Sequence, residues 1–240
     1  MAALPLERLA ELGVLQGTAG LLAEERVLAL GWPELEKVLP DRGLPRGVVE
    51  IASPVGKHGA LRGGATTIAL RTMRAIHAAD EKAWCAWLVP SRAPMPYAPA
   101  AAQEGVDLER LLVVRPEPVA LARTAVKVAA SGAFDLVVVD AHGGLDGRLL
   151  AQKSHPGLLA RSARSSSRAD GSVVVRKLAL ASEEKGTTFL LLTDAYAERP
   201  VPWPVALRLE AERRADAIAL RITKDRRGRA SAQHVVRLAS

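Results

Sequence analysis

Length, composition and charge together exclude several classes of protein. The chain has 240 residues, of which 49% are apolar and 25% charged, as expected of a globular protein that buries a full core. Its 33 Lys and Arg residues exceed the 26 Asp and Glu residues, and the net charge of +7 favours polyanionic partners. The single cysteine, Cys85, excludes an internal disulfide and agrees with a reducing cytoplasm. We expect neither a signal peptide nor a membrane-spanning segment, because no apolar run approaches the roughly 18 residues required.

The predicted elements follow a wound α/β pattern. Residues 6–30 place leucines among charges and predict one or two amphipathic helices, and the Gly- and Pro-rich residues 32–47 predict a linker. We therefore expect an N-terminal helical segment with a linker over residues 1–40 and a core domain over residues 41–240. Short apolar strands then alternate with helices, which indicates a mostly parallel sheet covered on both faces. The predicted strands are 48–52, 84–89, 110–114, 135–140 and 187–193, and the predicted helices are 64–79, 97–104, 118–131 and 170–185.

The pattern changes after residue 200. Residues 205–210, 217–223 and 232–238 alternate apolar and polar side chains, with short turns between them. This alternation is typical of antiparallel strands with one solvated face. We therefore expect the sheet to end in an antiparallel meander.

A glycine-rich segment, SPVGKHGALRGGATTIAL at residues 53–70, joins the first core strand to the first core helix. Gly59, Gly64 and Thr66 reproduce the spacing G-x-x-x-x-G-K-[ST] of a phosphate-binding loop. The position of the lysine in that motif is occupied by Ala65. The segment is therefore either a nucleotide-binding loop with a substitute cation or a degenerate loop.

A second candidate feature is an aspartate at the end of a buried strand. Asp140 follows the apolar run 136–139, and P-loop proteins hold magnesium with an aspartate at this place. An acidic residue there can equally end a strand and cap the next element. The residues of this predicted, vestigial nucleotide site are Gly59, Gly63, Gly64, Thr66, Thr67 and Asp140.

Five segments, taken in order, resemble the core of the RecA recombinase. They are GLPRGVVEIA (43–52), the loop ending in GGATT, YAPAAAQEGVDLERLLVVRPE (97–117), SGAFDLVVVD (131–140) and TTFLLLTD (187–194). The segment WLVPSRAPMPYAPA, residues 87–100, resembles more closely the RecA-like ImuA family, which accompanies error-prone translesion polymerases in bacterial mutasomes. The resemblance covers roughly residues 40–238 and implies a RecA-like core.

Two departures from the recombinase pattern bear on ATP hydrolysis. Ala65 cannot neutralise phosphate charge as the loop lysine does, and losing one such charge costs on the order of 3 kcal/mol in the transition state. The acidic residue with which that family activates water follows the second strand, where this chain has Pro-Ser-Arg at residues 90–92. The alternative is that Lys57 or Arg62 folds back toward the phosphates as a substitute cation.

Two basic segments are candidates for contact with DNA phosphates. In the first, three arginines spaced i, i+3 and i+7 follow Asp140, where the recombinase has a DNA-binding loop. The second is the turn 223–229, which has four cations against one acid and can also be simply solvated. The other DNA-binding loop of the recombinase corresponds to residues 194–204, which are short and proline-rich, so we do not expect strand exchange. The predicted DNA-binding residues are Arg161, Arg164, Arg168, Lys224, Arg226, Arg227 and Arg229.

The resemblance implies a protein that acts by binding rather than by turnover. We expect a non-hydrolysing accessory protein of the SOS response, at the nucleoid in the cytoplasm. Its expected partners are single-stranded DNA and either RecA, a Y-family-like polymerase subunit of a mutasome, or both. The alternatives are an ATP-dependent recombinase or DNA-stimulated ATPase with a displaced cation, and a basic DNA-coating protein without a protein partner. We expect no metal site, since the five histidines are scattered. We also expect no cofactor, with the alternative that the backbone N–H groups around Gly63, Gly64 and Thr66 still hold the phosphates of ATP with Mg²⁺. The N-terminal segment either packs on its own core or mediates self-association.

Overall fold

The computed structural model describes residues 27–54, 64–141, 171–197 and 203–238. Its strands are β1 (Val27–Leu28), β2 (Leu44–Pro45), β3 (Val48–Ser53), β4 (Cys85–Leu88), β5 (Leu111–Val114), β6 (Leu136–Asp140), β7 (Thr188–Asp194), β8 (Leu207–Arg213), β9 (Ala217–Asp225) and β10 (His234–Arg237). Strands β1 and β2 form a small antiparallel pair, and the others form one sheet in the order β10-β9-β8-β3-β7-β6-β4-β5. Strands β3 to β8 pair in parallel, whereas β8, β9 and β10 pair antiparallel. The predicted mixed sheet with its C-terminal meander is therefore confirmed.

Helices cover both faces of this sheet. They are α1 (Pro33–Val38), α2 (Ala65–Ala79), α3 (Ala98–Gln103), α4 (Leu121–Ser131) and α5 (Gly171–Lys185). Because side chains alternate along a strand, Val49 and Ile51 of β3 pack in the core that contains α2, whereas Val48 packs with α4 and α5. We call these the α2 face and the α5 face. None of the described helices combines the length and apolar character needed to cross a membrane.

The predicted linker over residues 32–47 is wrong, because this segment is part of the core. It contains α1 and β2, and the side chains of Leu35 and Leu44 have no exposed surface. Pro33 lies in the first turn of α1, where a missing N–H removes no helical hydrogen bond. The proline therefore marks the start of a helix, and the packed core extends N-terminal to the predicted boundary at residue 41.

The predicted N-terminal helices over residues 6–30 lie largely outside the described residues. Val27 and Leu28 form a strand instead of the end of a helix, so this part of the prediction is wrong. They pair with Pro45 and Leu44, and this tertiary pairing overrides the local helical pattern. Self-association through the N-terminal segment stays a prediction.

The parallel arrangement gives the sheet two distinct edges. We call the edge at which β3, β6 and β7 end the C-terminal edge, and the edge at which they begin the N-terminal edge. Leu207, which begins β8, pairs with Asp225, which ends β9, so the turn after β9 lies at the N-terminal edge. The turn between β8 and β9 lies at the C-terminal edge, on the same side as the glycine-rich segment.

Candidate functional site

The start of α2 packs tightly against the meander. Gly64 precedes α2 in the left-handed conformation, with φ 75°. A Cβ atom on Gly64 would lie 2.5 Å from Cδ1 of Ile218 on β9, so both the backbone and the packing require glycine. This part of the predicted loop therefore has a fixed place in the fold. Gly59 and Gly63, together with the alternative cations Lys57 and Arg62, lie outside the described residues.

Position 65 belongs to the apolar core. The side chain of Ala65 has no exposed surface and lies in the same cluster as Ile68 and Ile218. A charged ammonium in such surroundings would require a partner of opposite charge. Ala65 therefore contributes packing at the position where the loop motif would supply a positive charge.

A cation from a distant part of the chain lies beside the first turn of α2. Nη1 of Arg213, the last residue of β8, donates a hydrogen bond to Oγ1 of Thr67 at 3.4 Å. Thr66 and Thr67 are both half-buried, and Arg213 is exposed. The N-terminal end of a helix carries a partial positive charge, so an anion bound here would meet both the helix and the guanidinium. Sequence reasoning missed Arg213, because only the parallel pairing of β3 with β8 brings it to α2.

Asp140 lies at the same edge and on the same face of the sheet as the start of α2. It ends β6, and Val138, two residues earlier on the same side of the strand, packs in the α2 core. One strand, β7, separates β6 from β3, so the two strands are about 10 Å apart. The Asp140 side chain is largely buried. The described members of the predicted nucleotide site, which are Gly64, Thr66, Thr67 and Asp140, therefore lie at one edge and on one face of the sheet, with Gly64 over β9 and Asp140 at the end of β6.

A carboxylate from another part of the chain contacts the segment after β4. Oγ of Ser91 donates a hydrogen bond to Oε1 of Glu117 at 3.1 Å, and the backbone N–H of Ser91 donates to the carbonyl of Pro116. Strand β4 is the direct neighbour of β6, which ends in Asp140. The Pro-Ser-Arg tripeptide at residues 90–92 thus has an acid beside it, although the acid follows β5.

The predicted DNA-binding turn after β9 is held to the core by ion pairs. Arg229 donates from Nη1 and Nη2 to the two carboxylate oxygens of Asp41, each at 2.9 Å, and from Nε to Asp225 at 2.6 Å. Arg227 also contacts Asp41, at 3.0 Å. Hydrogen bonds from Arg229 hold the pKa of Asp41 below its ordinary value. Burial raises the pKa of Asp225, but the contacts with Arg229 outweigh it and lower this pKa as well. Arg229 therefore fixes the turn to the core, and we call Arg229, Asp41 and Asp225 the brace.

The remaining two predicted cations of this turn differ from each other. Nζ of Lys224 donates to the carbonyl of Trp203, which anchors the half-buried lysine. The side chain of Arg226 is exposed, and only its backbone N–H is used to bond Ala206. Arg226 is therefore the cation of this turn whose side chain is best placed to meet a phosphate.

The turn after β9 and the end of β6 lie at opposite edges of the sheet. The turn after β9 lies at the N-terminal edge, whereas the chain leaves β6 at the C-terminal edge. Arg161, Arg164 and Arg168 lie outside the described residues. The turn is also remote from the start of α2, so it forms a surface separate from the predicted nucleotide site.

Sequence reasoning also missed a buried carboxylate in the middle of β3. Glu50 has no exposed surface, and it accepts hydrogen bonds from Oγ1 of Thr193 at 2.6 Å and from Nε1 of Trp203 at 2.8 Å. Nε of Arg208 lies 3.4 Å from the same carboxylate. These contacts hold the connection from β7 to β8 on the α5 face. A charge inside an otherwise apolar strand was the available signal, because buried carboxylates are nearly always paired.

Other chemistries have no site among the described residues. Burial raises the pKa of the Cys85 thiol to about 12, which leaves it unreactive at neutral pH. Burial also lowers the pKa of His77, and its Nδ1 accepts from the backbone N–H of Asp107 at 3.2 Å. No group of three His, Cys, Asp or Glu side chains in the described ranges could hold a metal ion.

A cavity of about 630 Å³ lies near the C-terminal edge of the sheet. Its lining includes Glu210, Arg221 and the exposed Tyr196, and none of the four predicted nucleotide residues that the structure describes contributes to it. The cavity is therefore separate from the group formed by Gly64 and its neighbours. Comparison with known proteins gave no match, either to a protein-family model or to a curated protein.

Proposed function

We propose that this chain is a non-hydrolysing RecA-like accessory protein of the bacterial DNA-damage (SOS) response. It acts in the cytoplasm by linking a translesion polymerase complex to damaged DNA, to RecA or to both. One observation carries the proposal: the position of the catalytic lysine holds Ala65, whose side chain is buried in the apolar core. The strand β3, the left-handed Gly64 and the placement of Asp140 support the RecA-like core.

The geometry favours holding a nucleotide over cleaving it. The backbone N–H groups at the start of α2 and the hydroxyl groups of Thr66 and Thr67 would bind phosphates, and Asp140 would hold Mg²⁺. Mg²⁺ would supply charge neutralisation at the phosphates. The missing lysine charge raises the barrier by about 3 kcal/mol, which slows turnover about a hundredfold. A nucleotide bound here would therefore be cleaved slowly, and the protein would act through its partners.

Capture of the partners tests this function. The tagged full chain is expressed in bacteria with damaged DNA, captured at moderate salt with nuclease present, and probed for RecA and for the Y-family-like polymerase. We expect at least one of the two to be retained, and phosphate release from ATP to stay at background. Salt-sensitive DNA binding with neither partner retained would contradict the proposal and favour a DNA-coating protein.

The second candidate is a DNA-stimulated ATPase with a displaced cation, and the contact between Arg213 and Thr67 favours it. In that case Arg213→Gln lowers nucleotide affinity and phosphate release by roughly a hundredfold, the effect of one preorganised charge. Arg214→Gln is the matched control, because Arg214 is the next residue on the same turn and is also exposed. Absence of DNA-stimulated phosphate release from the wild-type chain would exclude this candidate.

A further inference from the structure

Three cations from separate parts of the chain lie at the N-terminal edge of the sheet. Nη2 of Arg226 lies 3.8 Å from the point that a Cβ atom on Gly47 would occupy, directly beside Arg46. Nη1 of Arg46 in turn donates to the carbonyl of Gly186 at 3.4 Å, next to Lys185 at the end of α5. We call Arg226, Arg46 and Lys185 the basic strip. Arg46 and Lys185 are 139 residues apart along the chain, and Lys185 and Arg226 are 41 residues apart. Only the fold therefore brings these three residues to one edge of the sheet.

The basic strip is open to solvent and keeps its positive charge. All three side chains are exposed, and no described carboxylate forms an ion pair with them. The two acids nearest to the turn, Asp41 and Asp225, are already bound by Arg229. The brace therefore fixes the turn in place and also keeps these acids from neutralising Arg226.

We propose that the basic strip binds the sugar–phosphate backbone of DNA. Guanidinium groups suit phosphate oxygens, and exposed cations from separate parts of the chain can each contact a different phosphate of the backbone. None of the large exposed apolar side chains of the described residues lies next to one of these cations in the chain, which argues against insertion into a membrane. The inference rests on the DNA binding in the proposed function and names the surface that performs it. Because the strip lies opposite the start of α2, its affinity for DNA is independent of nucleotide.

Salt-dependent DNA binding by the full chain tests the basic strip. The probes are a fluorescein-labelled 30-mer as single strand and as duplex, titrated at several salt concentrations with and without ATP. Arg46→Gln/Arg226→Gln is compared with Arg123→Gln/Lys127→Gln, which removes two exposed cations from α4. We expect the strip variant to bind the single strand about tenfold more weakly, with its log-log salt slope reduced by about 1.4. The α4 variant keeps the wild-type slope.

Several outcomes would overturn the proposal that the basic strip binds DNA without contradicting the proposed accessory function. They are DNA binding that the strip variant does not change, or retention of RecA or the polymerase by a chain that binds no DNA. Loss of binding to anionic phosphatidylglycerol vesicles without loss of DNA binding would also overturn it. Urea unfolding of each variant checks that it is folded, and Arg226→Gln alone replaces the double variant if that unfolds. The single variant should reduce the slope by about 0.7.

Discussion

The two edges of the central sheet use charge in opposite ways. At the C-terminal edge, Gly64 and Ala65 place backbone and methyl groups against Ile218, where the loop motif would have a lysine. At the N-terminal edge, Arg229 and two aspartates brace a turn that presents exposed cations. On the proposed function, the first edge lacks the charge needed for turnover and the second presents charge that can bind anions. Three substitutions, given in decreasing order of expected effect, test this difference.

The largest effect is expected at the strand that joins the two edges. Glu50→Ala would leave Nε1 of Trp203 and Oγ1 of Thr193 buried without their acceptor, and would remove one carboxylate from Arg208. We expect the free energy of unfolding in urea to fall by about 4 kcal/mol. Glu212→Ala, an exposed change on β8, should change it by less than about 0.5 kcal/mol. Equal stabilities of the two variants would show that the buried network does not hold the β7–β8 connection.

The next largest effect is expected at Gly64, and Gly228 at the opposite edge is its control. Gly64 and Gly228 both have φ 75°, but only Gly64 would place a Cβ atom against Ile218, whereas Gly228 faces open space. We expect Gly64→Ala to cost about 3 kcal/mol in urea unfolding, the sum of backbone strain and overpacking. Gly228→Ala should cost about 1 kcal/mol, from the backbone alone. Equal costs would mean that the packed start of α2 does not resist a side chain.

The smallest effect is expected at the brace itself. Arg229→Gln removes the partner of Asp41 and Asp225, and we expect a loss of about 1 kcal/mol at pH 7, since the arginine is partly exposed and solvent screens it. The pKa values of Asp41 and Asp225 are lower in the folded protein than their ordinary value of 3.8. The two carboxylates therefore stabilise the fold at a pH above 3.8, and this stabilisation is lost as the pH falls below 3.8. Urea unfolding at pH 7 and pH 3 should therefore show a smaller pH dependence in the variant. An unchanged dependence would contradict the brace.

The main strands and helices could be predicted because local pattern determines them. The continuous apolar run 136–139 reports a strand buried on both faces, and the alternation of β8 reports one less buried face. The solvated face predicted for residues 217–223 is wrong for the first part of β9, because residues 217–220 are all buried. The linker prediction failed because Gly and Pro were taken to break structure throughout residues 32–47. Pro33 starts a helix there, and Leu35 and Leu44 fill the core.

The partners of the candidate site residues could not be predicted, because long-range topology selects them. Arg213 contacts Thr67 across 146 residues, and Arg229 binds Asp41 across 188 residues. Neither pair has a local spacing rule of the kind that links neighbouring turns of a helix. The sequence identified the cations of the turn after β9, and the fold divides them into a brace at Arg229 and an exposed contact at Arg226.

ATP hydrolysis and DNA binding measured on one preparation of the full chain test the central claim most directly. Single-stranded DNA is titrated by fluorescence anisotropy while phosphate release is followed in parallel, with RecA as the positive control. We predict salt-dependent DNA binding with phosphate release at background, whether DNA is present or absent. Phosphate release that DNA stimulates to a recombinase-like rate would contradict the account.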